Sequence, residues 1–209
     1  MIQTDKLTFQ YNKNEPLFRF PDIHLKDQEN LLILGKSGVG KTTFLHLLAG
    51  LLKPLKGHIL IDEIKINNLN NNKLDKYRGQ NIGLVFQKKH AIQSLNVFEN
   101  LKTRLLFSKK PMNNTDIENL LAQLELTEFK KSKINNLSEG QLQRLGIALG
   151  VIHNPQVILA DEPTSSLDDE NCKNVIELLI KQAKQTNANL IVITHDQRIK
   201  KYFQNSITL

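Results

Sequence analysis

Apolar positions change their spacing along the chain, and the changes mark out its elements. Leu7, Phe9 and Tyr11 alternate with polar residues, and Phe18, Phe20, Ile23 and Leu25 form a second, interrupted run, the pattern of strands. Leu31-Leu32-Ile33-Leu34 is a short continuous apolar run ended by Gly35, which suits a buried strand feeding a tight loop. Residues 42–52 predict a helix closed by Lys53-Pro54, and residues 58–61 and 82–86 predict further strands. Between those strands, Asn67, Asn68, Asn70, Asn71 and Asn72 crowd into a predicted loop. From about residue 94 to residue 153 the spacing turns helical, through Leu101, Leu105, Leu106, Ile117, Leu120, Leu121 and Leu124. That block reads as a helical lobe inserted between strands. Strand character returns at residues 157–160 and 190–193, separated by an amphipathic helix over 170–185, and residues 206–209 predict a last strand. There is no internal repeat and no disordered tail.

A length of 209 residues suits one α/β domain, or one core lobe with a smaller appended lobe. With nine Phe, three Tyr and no Trp, the core must come mainly from Leu, Ile and Val. The net charge of +7 permits a nucleic-acid or anionic-membrane partner. Yet the lysines are spread, and the densest runs (Lys88-Lys89, Lys109-Lys110, Lys130-Lys131, Lys200-Lys201) are only pairs, so the charge reads as a solvated surface. The single cysteine, Cys172, excludes an intrachain disulfide and fits a reducing, cytosolic setting. Its polar neighbours make it an incidental thiol. The N-terminus lacks the apolar core of a signal peptide, and residues 44–52 fall far short of the ~20 residues needed to cross a bilayer. No membrane insertion by the chain itself is expected.

The chemistry concentrates in short motifs. Gly35-Lys36-Ser37-Gly38-Val39-Gly40-Lys41-Thr42 matches the G-x-x-x-x-G-K-[ST] phosphate-binding loop, in the required place after a buried strand and before a helix. Its glycines let successive N–H groups converge on phosphates, and the helix that follows adds its positive end to the same anion site. Lys41 can reach the terminal phosphates, the Thr42 hydroxyl can ligate Mg²⁺, and Thr43 adjoins them in the nucleotide site. The apolar run 157–160 ends in Asp161-Glu162. A buried parallel strand delivers its last residues to the sheet edge where ligands bind. Asp161 is placed to hold Mg²⁺, directly or through water, and Glu162 to activate the attacking water as general base. Leu137-Ser138-Glu139-Gly140-Gln141 opens a predicted helix over 139–153, where an N-cap Ser followed by Gly presents a hydroxyl and free N–H groups to an anion.

Leu137–Gln141 resembles the leucine-serine-glycine-glycine-glutamine signature of the ABC ATPases, the ATP-binding cassettes of transporters, and the resemblance covers nearly the whole chain. It implies an α/β fold: a P-loop NTPase core with an antiparallel β subdomain and an inserted α-helical subdomain. The single domain 1–209 would then have its core and β subdomain at about 1–87 and 155–209 and its helical subdomain at about 88–154. In the family pattern Tyr11 looks like the aromatic that stacks on adenine, with Phe9 as the alternative stacker. Gln87 looks like the glutamine that touches Mg²⁺ and the attacking water, and His195, flanked by Thr194 and Asp196, looks like the switch histidine. Ser165-Ser166-Leu167-Asp168 resembles the D-loop. Ser138, Gly140 and Gln141 would close on ATP held by a second copy, so two chains sandwich two nucleotides. The resemblance therefore implies ATP and Mg²⁺ as ligands, a head-to-tail homodimer, and a separate transmembrane permease. The permease would hold the chain on the cytoplasmic face of the membrane, docking between the lobes near residues 87–107, where Lys88, Lys89, Ile92, Leu95, Val97 and Phe98 would meet it. The run 159–164 and the short length look most like the lipoprotein-release, macrolide-export and cell-division cassettes.

Some residues depart from the pattern. Glu139 replaces the first signature glycine. It suits the helix dipole but repels phosphate unless it points away. Gln28 stands where the family usually has Gly, and Leu149-Gly150 replace a common Arg-Ala pair. Asn72-Lys73-Leu74-Asp75 matches a guanine-reading motif, but it follows an Asn-rich stretch and not a strand, so it is a decoy. A competing class, a soluble ABC ATPase acting on nucleic acid or the ribosome, usually carries tandem cassettes, a coiled-coil insertion or zinc-binding cysteines. None of these is expected in 209 residues with one Cys. A regulatory subunit without turnover is disfavoured by Glu162 and His195. No appended regulatory or membrane domain and no nucleic-acid partner are expected.

Overall fold

The computed structural model describes residues 1–86, 90–111, 113–165 and 167–209. In chain order its elements are β1 (Ile2–Phe9), β2 (Phe18–Arg19), β3 (His24–Leu25), β4 (Asn30–Leu34), α1 (Lys41–Leu48), β5 (Lys56–Ile61), β6 (Ile64–Lys65), α2 (Asn71–Asn81) and β7 (Ile82–Val85). They continue with α3 (Val97–Ser108), α4 (Asn114–Gln123), α5 (Glu139–Val151), β8 (Val157–Asp161), α6 (Asp169–Thr186), β9 (Asn189–Thr194) and β10 (Asn205–Thr208).

Two sheets organise the chain. The first is antiparallel, in the order β2-β1-β5-β6 with β3 also paired to β1; the second is parallel, in the order β10-β4-β9-β8-β7. Strands β4, β7, β8 and β9 are largely apolar runs because both of their faces are covered, whereas the edge strand β10 is mostly polar and exposed. Side chains alternate across a strand, so Leu31 and Ile33 of β4 enter one core while Leu32 and Leu34 enter the other. The first core is closed by α1 and by the antiparallel sheet, through Phe44, Leu7 and Ile59. The second is closed by α3 to α6, through Leu101, Ile117, Leu145 and Ile176. All five parallel strands point the same way, so the segments after β4, β8 and β9 emerge at one edge.

Where structure and expectation differ, the cause is local. Helix α1 stops at Leu48, short of residue 52, because Gly50 takes a left-handed φ of +64° and its carbonyl accepts from Arg78 Nη1 at 2.7 Å. The expected Asn-rich loop is half helix. The Asn70 side chain accepts from the Lys73 backbone N–H at 3.0 Å and so starts α2, whose one buried residue is Tyr77. The Asn72-Lys73-Leu74-Asp75 stretch therefore lies on a helix. Cys172 is 2% exposed on the inner face of α6, where its thiol donates to Asp196 Oδ2 at 3.6 Å. Helix α5 runs from the helical lobe onto the parallel sheet, and Gly83 of β7 is there because a Cβ would come 2.1 Å from the Gly150 carbonyl oxygen.

Candidate functional site

The segment after β4 bends over a stack of aromatic rings. Phe44 lies parallel to Phe20 with centroids 4.7 Å apart, and Phe20 to Phe18 at 6.1 Å. Gly40 rests on this stack with φ of +103°, and a Cβ there would come 2.7 Å from the Phe18 ring. Both constraints demand glycine at that position. From Gly40 the chain enters α1, whose first residues are Lys41, Thr42 and Thr43, so the free N–H groups of a helix start face the loop. The Tyr11 hydroxyl shares a hydrogen bond of 2.9 Å with Thr43 Oγ1, and its ring is half exposed. Phe9, the alternative stacker, is buried.

Lys41 is 6% exposed. Its ammonium donates to the carbonyls of Gly35 at 2.9 Å and Lys36 at 3.0 Å, and lies 3.5 Å from Glu162 Oε1. The Thr42 hydroxyl donates to Asp161 Oδ1 at 3.4 Å, across from the end of β8. Burial pushes the Asp161 carboxyl above its usual value, and the Thr42 hydrogen bond only partly offsets this. One hydroxyl and one carboxylate oxygen this close are a hard donor pair of the kind Mg²⁺ takes, with substrate oxygens and water supplying the rest of its shell. Among the described residues no group of three or more His, Cys, Asp and Glu could hold a metal ion alone.

Glu162 follows Asp161 in a left-handed conformation, φ 48°. Its Oε2 accepts from the Thr194 hydroxyl at 2.7 Å, and His195 Nδ1 lies 3.0 Å from Oε1. Burial pushes the Glu162 carboxyl up, but the hydrogen bonds from His195 and Thr194 outweigh it and hold the carboxyl below the ordinary range. It is ionised at neutral pH.

Ser138 caps α5: its Oγ accepts from the Gln141 N–H at 3.3 Å, and its own N–H donates to Gln141 Oε1 at 2.8 Å. The Gln141 carbonyl oxygen is thus used inside the chain. A Cβ on Gly140 would meet nothing within 4 Å, so its own fold does not demand glycine there. Farther along α5, Gln143 Nε2 donates to the Pro163 carbonyl. Glu139 and Glu162 line one small hollow with Gln143 and Ser165.

The family model for the ABC transporter matches residues 20–165. The chain belongs to the ABC transporter family. The lipoprotein-releasing system ATP-binding protein LolD of Buchnera aphidicola subsp. Schizaphis graminum is 34% identical over 195 residues, 91% of this chain and 85% of that one. The ABC transporter ATP-binding protein MJ0796 of Methanocaldococcus jannaschii is 35% identical over 219 residues, 100% of this chain and 93% of the relative. A dimeric, post-hydrolysis structure of the MJ0796 cassette bound to ADP and Pi has a TM-score of 0.89 and 33% identity, covering 100% of this chain and 94% of that one. The fold is therefore the ABC ATPase fold expected above, and relatives of the lipoprotein-releasing kind are among those it resembles.

In this ABC cassette Lys41, Thr42, Asp161, Glu162 and His195 meet at one sheet edge, and Tyr11 joins them through Thr43. Ser138, Gly140 and Gln141 share no hydrogen bond with those residues among the described contacts. Gln87, expected at the metal and the water, lies outside the described residues, as do Lys88, Lys89 and Ser166. Thr194, Asp196, Arg198 and Gln143 had no expected role of their own. Thr194 and Asp196 were noticed only as flanks of His195. A separate cleft of about 530 Å³ opens between the lobes, lined by Leu84, Phe86, Ile92, Arg104, Phe107 and Leu149. Of the residues expected on that surface Ile92 lines the cleft, whereas Val97 is fully buried where α3 begins.

Proposed function

We propose that the chain is the ATP-hydrolysing subunit of an ABC transporter, driving a separate membrane-embedded permease through ATP-dependent dimerisation. The observation that carries this reading is the meeting of Lys41, the Thr42–Asp161 pair and the Glu162–His195 pair beside the Gly35–Gly40 turn. The backbone amides of the turn and the start of α1 grip the triphosphate. Thr42 and Asp161 would hold Mg²⁺, which when bound would supply positive charge to the phosphate oxygens. Lys41 lies against both its own loop carbonyls and Glu162, so phosphate competes for the ammonium. As Lys41 turns to the γ-phosphate, Glu162 loses a cation and becomes a better proton acceptor for water. His195 and Thr194 keep that carboxylate aimed. Ser138 and Gly140 of one copy cover the γ-phosphate held by the other, which explains a helical glycine that its own chain leaves uncovered. ATP thus stabilises the dimer, and hydrolysis releases it.

No described helix is long and apolar enough to cross a membrane. The permease docks in the cleft between the lobes, where Arg104 and Ile92 face it, and keeps the chain on the cytoplasmic side of the membrane. Mg²⁺-dependent phosphate release by the purified full-length chain, with light scattering with and without ATP, tests the reading. Turnover accompanied by ATP-dependent dimerisation, and a change of rate on reconstitution with the membrane protein encoded beside it, are expected. Stimulation by DNA or RNA instead would favour the soluble class, and absence of turnover in every case would exclude a hydrolase.

A further inference from the structure

Glu162 and His195 leave the sheet on neighbouring strands, and the backbone beyond each then diverges. After Glu162 it runs to α6; after His195 it turns through a 3-10 helix, Gln197–Tyr202. One ionic cluster ties the two segments together. Asp196 is 9% exposed and sits between them. Its Oδ2 accepts from the Thr164 hydroxyl at 3.0 Å and from Arg198 Nη2 at 2.8 Å, while its Oδ1 accepts from Arg198 Nε at 2.9 Å. Arg198 then reaches across the gap: Nη2 donates to the Leu167 carbonyl at 3.2 Å, and Nη1 to the Asp169 carboxylate at the start of α6. On the inner side, the Asp196 backbone N–H donates to Thr194 Oγ1 at 3.0 Å, and the same hydroxyl donates to Glu162 Oε2.

We propose that Arg198 is a positioning residue for hydrolysis: by holding Leu167 and Asp169 to Asp196, it fixes the Glu162–His195 pair. The proposal rests on Glu162 being the base. Three physical points support it. A left-handed Glu is a conformation that persists only where its surroundings hold it, and Glu162 stands two residues before Thr164, the first residue the cluster holds. A guanidinium is a rigid planar fork that grips a carboxylate with two donors and keeps others free for Leu167 and Asp169; an ammonium cannot span the same acceptors. Arg198 and Asp169 are both open to solvent, so their pairing adds little to folding, and what the fork supplies is spacing. Small losses of alignment at a reacting centre are expensive in rate.

The test compares the full-length chain with Arg198→Ala and Arg198→Lys in steady-state turnover, ATP affinity and thermal unfolding. For Arg198→Ala the expected result is a kcat lowered about ten-fold or more, an ATP Kd within about two-fold of the unaltered chain, and a small shift in Tm. Arg198→Lys, which keeps the charge but not the fork, should recover part of the lost kcat. Turnover of Arg198→Ala within two-fold of the unaltered chain, or a loss confined to KM, overturns the proposal. If Arg198→Ala does not fold, Arg198→Lys decides: reduced kcat at unchanged Kd supports the proposal, and unchanged kcat overturns it. An unaltered chain without turnover would instead refute the hydrolase reading beneath it.

Discussion

Replacing His153 with glutamine removes one titrating group from the joint between the helical lobe and the parallel sheet. His153 follows α5, is 1% exposed, and its Nε2 lies 2.9 Å from Arg104 Nη2 on α3 and 3.1 Å from the Ile82 carbonyl oxygen. Burial, reinforced by the Arg104 charge, depresses its pKa to about 3. In an unfolded chain histidine titrates near ~6.5. Below that pH the unfolded state binds a proton that the folded state refuses, so stability falls as pH falls; above it, His153 contributes no slope. Integrated from pH 7 to pH 5, the loss is about 2 kcal/mol, and it reaches about 4 kcal/mol as the pH nears the folded value. Other groups titrate in both proteins, so the difference between them isolates His153. Urea unfolding at pH 7 and pH 5 should show His153→Gln losing about 2 kcal/mol less than the unaltered chain over that interval. An identical pH dependence in the two proteins would mean that the ring is protonated or hydrated when folded, and would refute the reasoning.

Lys41→Ala should weaken ATP binding by about 10- to 100-fold, as expected for loss of a charged hydrogen-bond donor, in an equilibrium titration; unchanged affinity would argue against the loop as the nucleotide site. Gly40→Ala forces an alanine to φ +103° and its methyl onto the Phe18 ring, so unfolding should show a cost of about 1–3 kcal/mol. A native Tm would show that the loop relaxes freely. Glu139→Gly should tighten ATP-dependent dimerisation by about two- to five-fold if the carboxylate repels the partner's phosphate. A weaker dimer by sedimentation would show that Glu139 points elsewhere.

The readiest parts of the fold to read were those where burial and chemistry coincide. Residues 31–34, 157–160 and 190–193 are uninterrupted apolar runs because both faces of the parallel sheet are covered, and reactive residues follow two of them directly. The phosphate loop was legible because its glycines are demanded by backbone geometry and ring contact, as Gly40 shows. Helix α2 was not legible, since eleven mostly polar residues bury only Tyr77 and depend on an Asn70 cap. The two-residue strands β2 and β3 fall within the interrupted apolar run at 18–25, whereas β6, which turns straight back onto β5 after Asp62-Glu63, had no expected strand pattern. The Arg198 cluster escaped because its acceptors at Leu167 and Asp169 are remote in sequence. Cys172 was misread from its polar neighbours, although it precedes Val175, Ile176 and Leu179 at helical spacing, on the buried face of α6.

The most direct measurement is Glu162→Gln in the full-length chain, followed for ATP binding, phosphate release and mass in solution with Mg²⁺. The glutamine keeps the shape of the side chain but cannot accept the proton from water. ATP affinity should stay within about three-fold while turnover drops by ~100-fold or more, and a dimer retaining ATP should accumulate. Phosphate release near the rate of the unaltered chain would contradict the assignment of Glu162 as the base, and with it the account of how this cassette uses ATP.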